Sequence, residues 1–292
     1  MKKTALIGSL LLFALIFTAC KNENNLPKNG QEQTENNEQR IISLNAAVTE
    51  IIAELGVNGK LVGRDATSVY PEWVKDSVQD FGPVWTVGVE TLLAAKPDIV
   101  FAEASELDPE KVKTLEKAGV KVHVFERGNT VEGVKKMIGE VAPYTQKSDY
   151  QYLNDRIDAG LAKVEQFKKK PRVLFIYARG TTMMQVAGKN TPMAEVISLA
   201  GGENAIDEFE GMKALSPEAL IKSNPDVILI FDSSLRSLGG IEGLADIQGI
   251  KETKVFKNQA YIAMDGSLLN GFGPRFGDAV YQLNQNLKAY AE

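Results

Sequence analysis

The sequence predicts a two-lobed α/β protein: two Rossmann-like lobes with mostly parallel sheets, joined by a long rigid α-helix. Three observations carry this expectation. First, Glu90-Thr-Leu-Leu-Ala-Ala-Lys-Pro-Asp-Ile-Val100 recurs as Glu218-Ala-Leu-Ile-Lys-Ser-Asn-Pro-Asp-Val-Ile228, an offset of 128 residues, with each Glu seven residues before its Pro. Second, short apolar runs alternate with helical periodicity in both halves, the pattern of a parallel sheet covered on both faces. Third, a charged, heptad-like stretch from Val131 to Lys170 separates the halves. Two similar lobes leave a cleft between them, and ligands bind in such clefts.

The elements follow in order. Lys2 and Lys3 precede an apolar or small run from Ala5 to Phe17, too short for a comfortable membrane span and suited to a signal segment. Phe17-Thr-Ala-Cys20 then resembles a bacterial lipoprotein signal, although Phe17 stands where Leu is usual. The resemblance implies a signal peptide over residues 1–19 and lipidation of Cys20; the bland alternative is an ordinary cleaved signal with a chance cysteine. Cys20 is the only cysteine, so no intramolecular disulfide can form. Residues 20–39 carry one large apolar residue, Leu26, and are expected to be a disordered tether.

The first lobe is expected over 40–130. Ile41 to Leu44 reads as a strand, Val48 to Leu55 as a helix stopped by Gly56, and Leu61 to Arg64 as a second strand. Ile99 to Ala102 and Val120 to Phe125 are further strands, with a helix from Pro109 to Ala118 between them. The linker helix region is placed at 131–170, its part from Asp149 to Lys169 as one helix crossing between lobes. Such a hinge limits closure and suits a rigid ligand. The second lobe, 171–292, restarts with Arg172-Val-Leu-Phe-Ile176, an echo of Arg40-Ile-Ile-Ser-Leu44 at an offset of 132. Ala260 to Met264 echoes the strand at Val122.

Composition excludes several classes. The net charge is −5, which gives no basic surface for nucleic acid. His123 is the only histidine, and its strand-like setting suggests a structural role. One histidine and no cysteine beyond Cys20 leave no means for the usual zinc or copper clusters, or for a Ser-His-Asp or Cys-His triad. The glycines of Gly271-Phe-Gly-Pro-Arg-Phe-Gly277 are wrongly spaced for a dinucleotide fingerprint. Nothing here would run an enzyme.

Several segments carry a resemblance: Asp65-Ala-Thr-Ser-Val-Tyr70-Pro71, Val186-Ala-Gly-Lys-Asn-Thr191, Leu199-Ala-Gly-Gly-Glu-Asn-Ala205 and Ala263-Met-Asp-Gly-Ser-Leu-Leu-Asn-Gly-Phe-Gly-Pro-Arg275. With the paired Glu…Pro-Asp elements, the chain from Arg40 onward resembles the haem-binding proteins of bacterial haemin-uptake ABC transporters. These belong to the helical-hinge class of periplasmic binding proteins, which also contains vitamin B12 and siderophore binders. The resemblance implies a lipid-anchored, extracytoplasmic monomer that binds haem b and hands it to an ABC permease and its ATPase.

It also implies residue roles. Tyr70 matches the tyrosine that ligates haem iron; Fe(III) is a hard cation that favours an anionic oxygen. Arg275, from the opposite lobe, is the expected guanidinium partner of that phenolate. Arg64, Arg179, Lys189 and Lys213 are candidates for the haem propionates, Arg179 and Lys189 ahead of the others. Trp73, Trp85, Tyr177, Met183, Met184 and Phe272 are candidate walls for the porphyrin, with core packing the bland alternative for each. No histidine is available as a second iron ligand, so Tyr177 or a methionine of the 183–184 pair would substitute, or the iron would be five-coordinate. Glu90 and Glu218 are expected to dock on permease arginines; as helix-starting carboxylates they also suit the helix dipole. The alternatives are a cobalamin or Fe(III)-siderophore binder of the same fold, a protein that scavenges haem without a transporter, and a two-lobed α/β enzyme such as a glycosyltransferase.

Overall fold

The computed structural model describes residues 39–56, 61–126, 128–145, 147 and 149–291. The signal segment, Cys20 and all but the last residue of the tether lie outside the described residues. Among the described residues, no helix is long and apolar enough to cross a membrane.

The first lobe runs β1 (Ile41–Ser43), α1 (Ala46–Glu54), β2 (Leu61–Arg64), α2 (Glu72–Ser77), β3 (Gln79–Asp80), α3 (Val89–Ala94), β4 (Ile99–Glu103), α4 (Pro109–Lys117) and β5 (Lys121–Phe125). Its sheet has the order β3-β2-β1-β4-β5, and every pair is parallel. Asn45 caps α1 by accepting from the amides of Ala47 and Val48, which starts the helix directly after the strand. Asp108 caps α4 in the same way, with Pro109 at the first helical position.

The linker holds α5 (Val131–Val141) and α6 (Gln151–Leu161). The helix expected over 149–169 is therefore shorter than predicted. Past Leu161 the backbone of Glu165 is taken by a side chain: its N–H donates to Asn284 Oδ1 at 3.1 Å, and its carbonyl accepts from Asn284 Nδ2 at 2.9 Å. Asn284 is fully buried, so this exchange stands in for the helical ladder and turns the chain out of the helix. Pro171 closes the segment.

The second lobe runs β6 (Arg172–Arg179), β7 (Met183–Ala187), α7 (Pro192–Leu199), β8 (Glu203–Asn204), β9 (Met212–Ala214), α8 (Pro217–Ser223), β10 (Val227–Phe231), α9 (Asp232–Ser237), α10 (Ile241–Leu244), α11 (Lys254–Lys257), β11 (Tyr261–Met264), α12 (Gly266–Leu269) and α13 (Phe276–Leu287). Its sheet order is β11-β10-β6-β7-β9, with β8 beside β6. Here β7 runs antiparallel to both β6 and β9, so this sheet is mixed. The turn at Gly180 has φ +64, which lets β6 fold straight back as β7.

The linker belongs to both lobes. One buried cluster joins Ile41, Val48 and Ile51 of the first lobe, Leu153 and Ile157 of α6, and Phe175, Val280 and Leu283 of the second. Two glycines bring α6 against α13. A Cβ on Gly277 would lie 2.2 Å from the Ile157 carbonyl oxygen, and one on Gly160 would lie 2.4 Å from the Gly277 carbonyl carbon. No larger residue fits that contact.

The repeated Pro-Asp element has a structural explanation. Asp98 Oδ2 accepts the Arg40 N–H at 2.6 Å, and the Asp98 N–H donates to the Arg40 carbonyl at 2.8 Å. In the second lobe Asp226 Oδ2 accepts the Arg172 N–H at 2.7 Å, and its own N–H returns to the Arg172 carbonyl at 2.8 Å. Each arginine side chain then reaches the end of the preceding helix, Arg40 to the Ala95 and Lys96 carbonyls and Arg172 to that of Ser223. Lys96 (φ +48) and Asn224 (φ +38) both adopt the left-handed conformation that ends the helix before each proline. The same device thus pins β1 to β4 and β6 to β10 at the N-terminal ends of these strands. The opposite ends are left for the cleft.

Candidate functional site

A cavity of about 830 Å³ lies where the C-terminal ends of both sheets face each other. From the first lobe it is lined by Asn45 to Ala47 after β1, Asp65 to Thr67 and Val69 after β2, Pro83 to Trp85, and Glu106 after β4. From the second lobe come Arg179 at the end of β6, Phe231 to Ser233 and Arg236 after β10, and Asp265 to Ser267, Asn270 and Gly271 after β11. Strand ends of this kind are where open α/β sheets bind ligands.

Trp85 is the most exposed large apolar side chain of the described residues, at 66%. It stands on a 3-10 turn, Val84–Thr86, entered through Gly82 at φ +82 and tied by the Thr86 hydroxyl to the Pro83 carbonyl at 2.7 Å. From this turn Trp85 lines the cavity. On the other lobe, Arg179 donates from Nε to the Tyr177 hydroxyl at 2.5 Å, and both Arg179 and Arg236 are exposed within the cavity wall.

The loop carrying Tyr70 is built around buried Asp65. That carboxylate accepts from the Thr67 amide at 2.9 Å and from the hydroxyls of Thr67 and Ser68. Ser68 in turn accepts from the Thr49 hydroxyl of α1 at 2.9 Å. Tyr70 is half-buried, next to the cavity-lining Val69. The guanidinium carbon of Arg275 lies 3.4 Å from the centroid of its ring, within cation–π range. The guanidinium edge faces elsewhere: Arg275 Nε donates to Glu50 Oε2 at 2.9 Å, Nη2 forms an ion pair with the same oxygen at 2.9 Å, and the Arg275 backbone N–H donates to Oε1 at 3.0 Å. Burial pushes the Glu50 carboxyl above its ordinary range, against the pull of Arg275.

The structure separates the other candidates. Arg64 is buried and committed: it pairs with Asp80 at 3.0 Å and donates to the Asp65 and Lys75 carbonyls, so it is not a free cation for a ligand. Phe272 is 1% exposed and stacked on Phe276 at 4.6 Å, a core residue rather than a cavity wall. Lys189 and Lys213 are exposed outside the cavity lining, with Lys213 over the Phe209 ring. Tyr177 is half-buried behind Arg179; Met183 and Met184 lie on β7, also outside the lining. Trp73 packs against the core. His123 sits on β5 among the rings of Phe101 and Tyr144. Glu90 and Glu218 are exposed in the first turns of α3 and α8. Sequence reasoning missed Arg236 and Glu50. The position of Arg236 just beyond the Val227–Phe231 run was a usable signal, since the segment after a parallel strand faces the cleft.

Two α/β lobes around a cleft formed by both sets of strand ends define a two-lobed substrate-binding protein. Residues 41–268 match the model of the periplasmic binding protein family, and the chain belongs to that family. It is a family of binding proteins, not of enzymes. Among solved structures the chain is similar to the apo form of the periplasmic heme-binding protein RhuT from Roseiflexus sp. RS-1, at 31% identity and a TM-score of 0.81 over 87% of this chain and 100% of that one. It is similar at 31% identity and TM-score 0.81 to the periplasmic heme-binding protein BhuT in complex with two hemes, over 87% of this chain and 99% of that one. HutB of Vibrio cholerae, a periplasmic heme-binding protein, follows at 26% identity and TM-score 0.78, over 86% and 99%. Among curated proteins it is 27% identical over 260 residues (85% of this chain, 80% of the other) to YvrC of Bacillus subtilis strain 168, an uncharacterized ABC transporter substrate-binding lipoprotein. It is 30% identical over 194 residues (65% and 70%) to a vitamin B12-binding protein of Vibrio campbellii.

Proposed function

We propose that this protein binds haem in the inter-lobe cleft through a Tyr70–Fe(III) bond and delivers it to an ABC importer. The observation that carries the reading is the wall chemistry of one cavity: an exposed indole, Trp85, from the first lobe and two guanidinium groups, Arg179 and Arg236, from the second. Haem is a rigid plane with two carboxylates. The indole face suits the plane, and guanidinium groups suit the carboxylates. The cavity volume falls within the range of small-ligand sites. Tyr70 is not itself a lining residue but follows the lining Val69; in this reading it supplies an oxygen for Fe(III), giving up the phenol proton as it ligates. The Arg275 guanidinium lies against the ring, 3.4 Å from its centroid. The heme-binding structures to which the chain is similar support the same ligand class.

The rest of the transport role rests on exposed groups and on the family. Glu90 and Glu218 start equivalent helices in the two lobes and remain free for permease cations. Two such contacts would fix orientation on the transporter more than they add affinity. Lipidation at Cys20 would hold the protein, as a monomer, at the outer face of the membrane.

Cobalamin is the second reading, favoured by the vitamin B12-binding relative. Its side chains are mostly neutral amides, which make less use of two arginines. Calorimetric competition separates the two. Haemin should bind and resist displacement by equimolar cobalamin or an Fe(III)-hydroxamate. Displacement of haemin by cobalamin would sink the haem reading.

A further inference from the structure

Two adjacent residues of α1 hold the loops of both lobes. Thr49, fully buried, donates to Ser68 in the loop that carries Tyr70. Glu50, 4% exposed, accepts two hydrogen bonds from Arg275, which belongs to the second lobe, and is ion-paired to its Nη2. Glu50 does not line the cavity. The Arg275 side chain is 13% exposed, and its two N–H contacts to Glu50 leave the flat face of the guanidinium on the Tyr70 ring. The backbone of the second lobe packs on α1 at Gly273, where a Cβ would stand in ordinary contact, 3.4 Å from the Ala47 Cα and 3.5 Å from the Glu50 carboxyl carbon.

Breaking the Glu50–Arg275 contact would strand a buried carboxylate, which is strongly unfavourable. A second tie lies beside it. Arg156 of α6 pairs with Glu54 of α1 at 3.2 Å and with Asp278 of α13 at 2.9 Å. The lobes are therefore held in one register on this side of the cleft.

We infer that Glu50 is a positioning residue: it captures Arg275 across the lobe boundary and thereby sets the guanidinium face against Tyr70. The effect on the ligand rests on the haem reading above; the coupling of Glu50, Arg275 and Tyr70 rests on geometry alone. Arg275 is then not a freely mobile counter-ion. Its place over the phenol is dictated by a carboxylate that never touches the ligand.

Two measurements on the same protein test this. In the ligand-free protein, the Arg275 Nε–H resonance should be shifted by the Tyr70 ring current. Tyr70→Leu should remove the shift, and Glu50→Gln should remove it as well; an unmoved resonance in Glu50→Gln overturns the inference. With haemin, Glu50→Gln should raise Kd about three- to thirtyfold, the loss of the cation–π contact on the Tyr70 ring, and should displace the iron–phenolate absorption. The double variant Glu50→Gln/Arg275→Gln should bind no more weakly than Arg275→Gln alone. A Glu50→Gln protein with the wild-type Kd and spectrum overturns the positioning role. Should Glu50→Gln fail to fold, Glu50→Asp, which keeps the charge but withdraws it, is judged by the same criteria. If the unmodified protein gives no spectral response to haemin, the ligand reading fails, and the resonance measurement still decides the coupling.

Discussion

Replacing Trp85 with alanine should weaken haemin binding without weakening the fold. The side chain is 66% exposed in a cavity wall. A tryptophan offers at most about 250 Å², so about 160 Å² is available to a ligand. A flat ligand covers one ring face, about half of that, or ~80 Å². At ~25 cal/mol per Å² this contributes about 2 kcal/mol. The matching rise in Kd is about thirtyfold. Haemin titration of Trp85→Ala, read by Soret absorbance, gives the affinity, and thermal melting of the ligand-free protein gives the stability. Unchanged affinity would show that the indole is not a ligand platform. A large fall in melting temperature would show that it serves the core, against its exposure in the structure.

Three further outcomes follow from other parts of the molecule. Burial alone would raise the Asp226 carboxyl, but the Arg172 amide and the Lys254 ammonium outweigh it and hold it below its ordinary 3.8. A depressed carboxyl stabilises the fold above its unfolded value and loses that contribution as pH falls through its folded one; Asp226→Asn should therefore cost about 1–3 kcal/mol at pH 7, with the gap to wild type closing below pH 3.8 in acid-denaturation curves. Gly277→Ala places a methyl group 2.2 Å from the Ile157 carbonyl oxygen, so denaturant unfolding should report a loss of about 1–3 kcal/mol from overpacking. Changing Glu90 and Glu218 together to alanine should leave haemin Kd unaltered and abolish stimulation of the reconstituted transporter ATPase; retained stimulation would remove both residues from the docking surface.

The parts of the fold that obey a period were legible. The apolar runs at Ile41, Ile99 and Tyr261 are parallel strands, the run at Arg172 is a strand parallel to β10 and antiparallel to β7, and the doubled Pro-Asp element proved to be an Asp–backbone clamp repeated in each lobe. The linker helix was overextended because nothing in residues 162–169 breaks a helix locally. The interruption comes from Asn284, more than a hundred residues away, which takes the Glu165 backbone. The cleft was legible where a strand ends or a segment directly follows one, as with Arg179, Asp65 and Asp265. Orientation was not. Arg64 ends a strand as Arg179 does, yet Asp80 on the neighbouring strand turns it inward. Phe272 lies in the right loop, and its left-handed backbone at φ +48 goes with burial against Phe276. Glu50 looked like any polar position of an amphipathic helix, because its partner arrives from the other end of the chain.

The visible spectrum of the protein with one equivalent of haemin, compared with that of Tyr70→Phe, is the most direct measurement. The wild-type protein should show a shifted Soret band with an iron–phenolate charge-transfer absorption, and Tyr70→Phe should lose the charge-transfer feature and release haemin more readily. Identical spectra for the two proteins, or no response to haemin in either, would contradict a Tyr70–iron bond in this cleft.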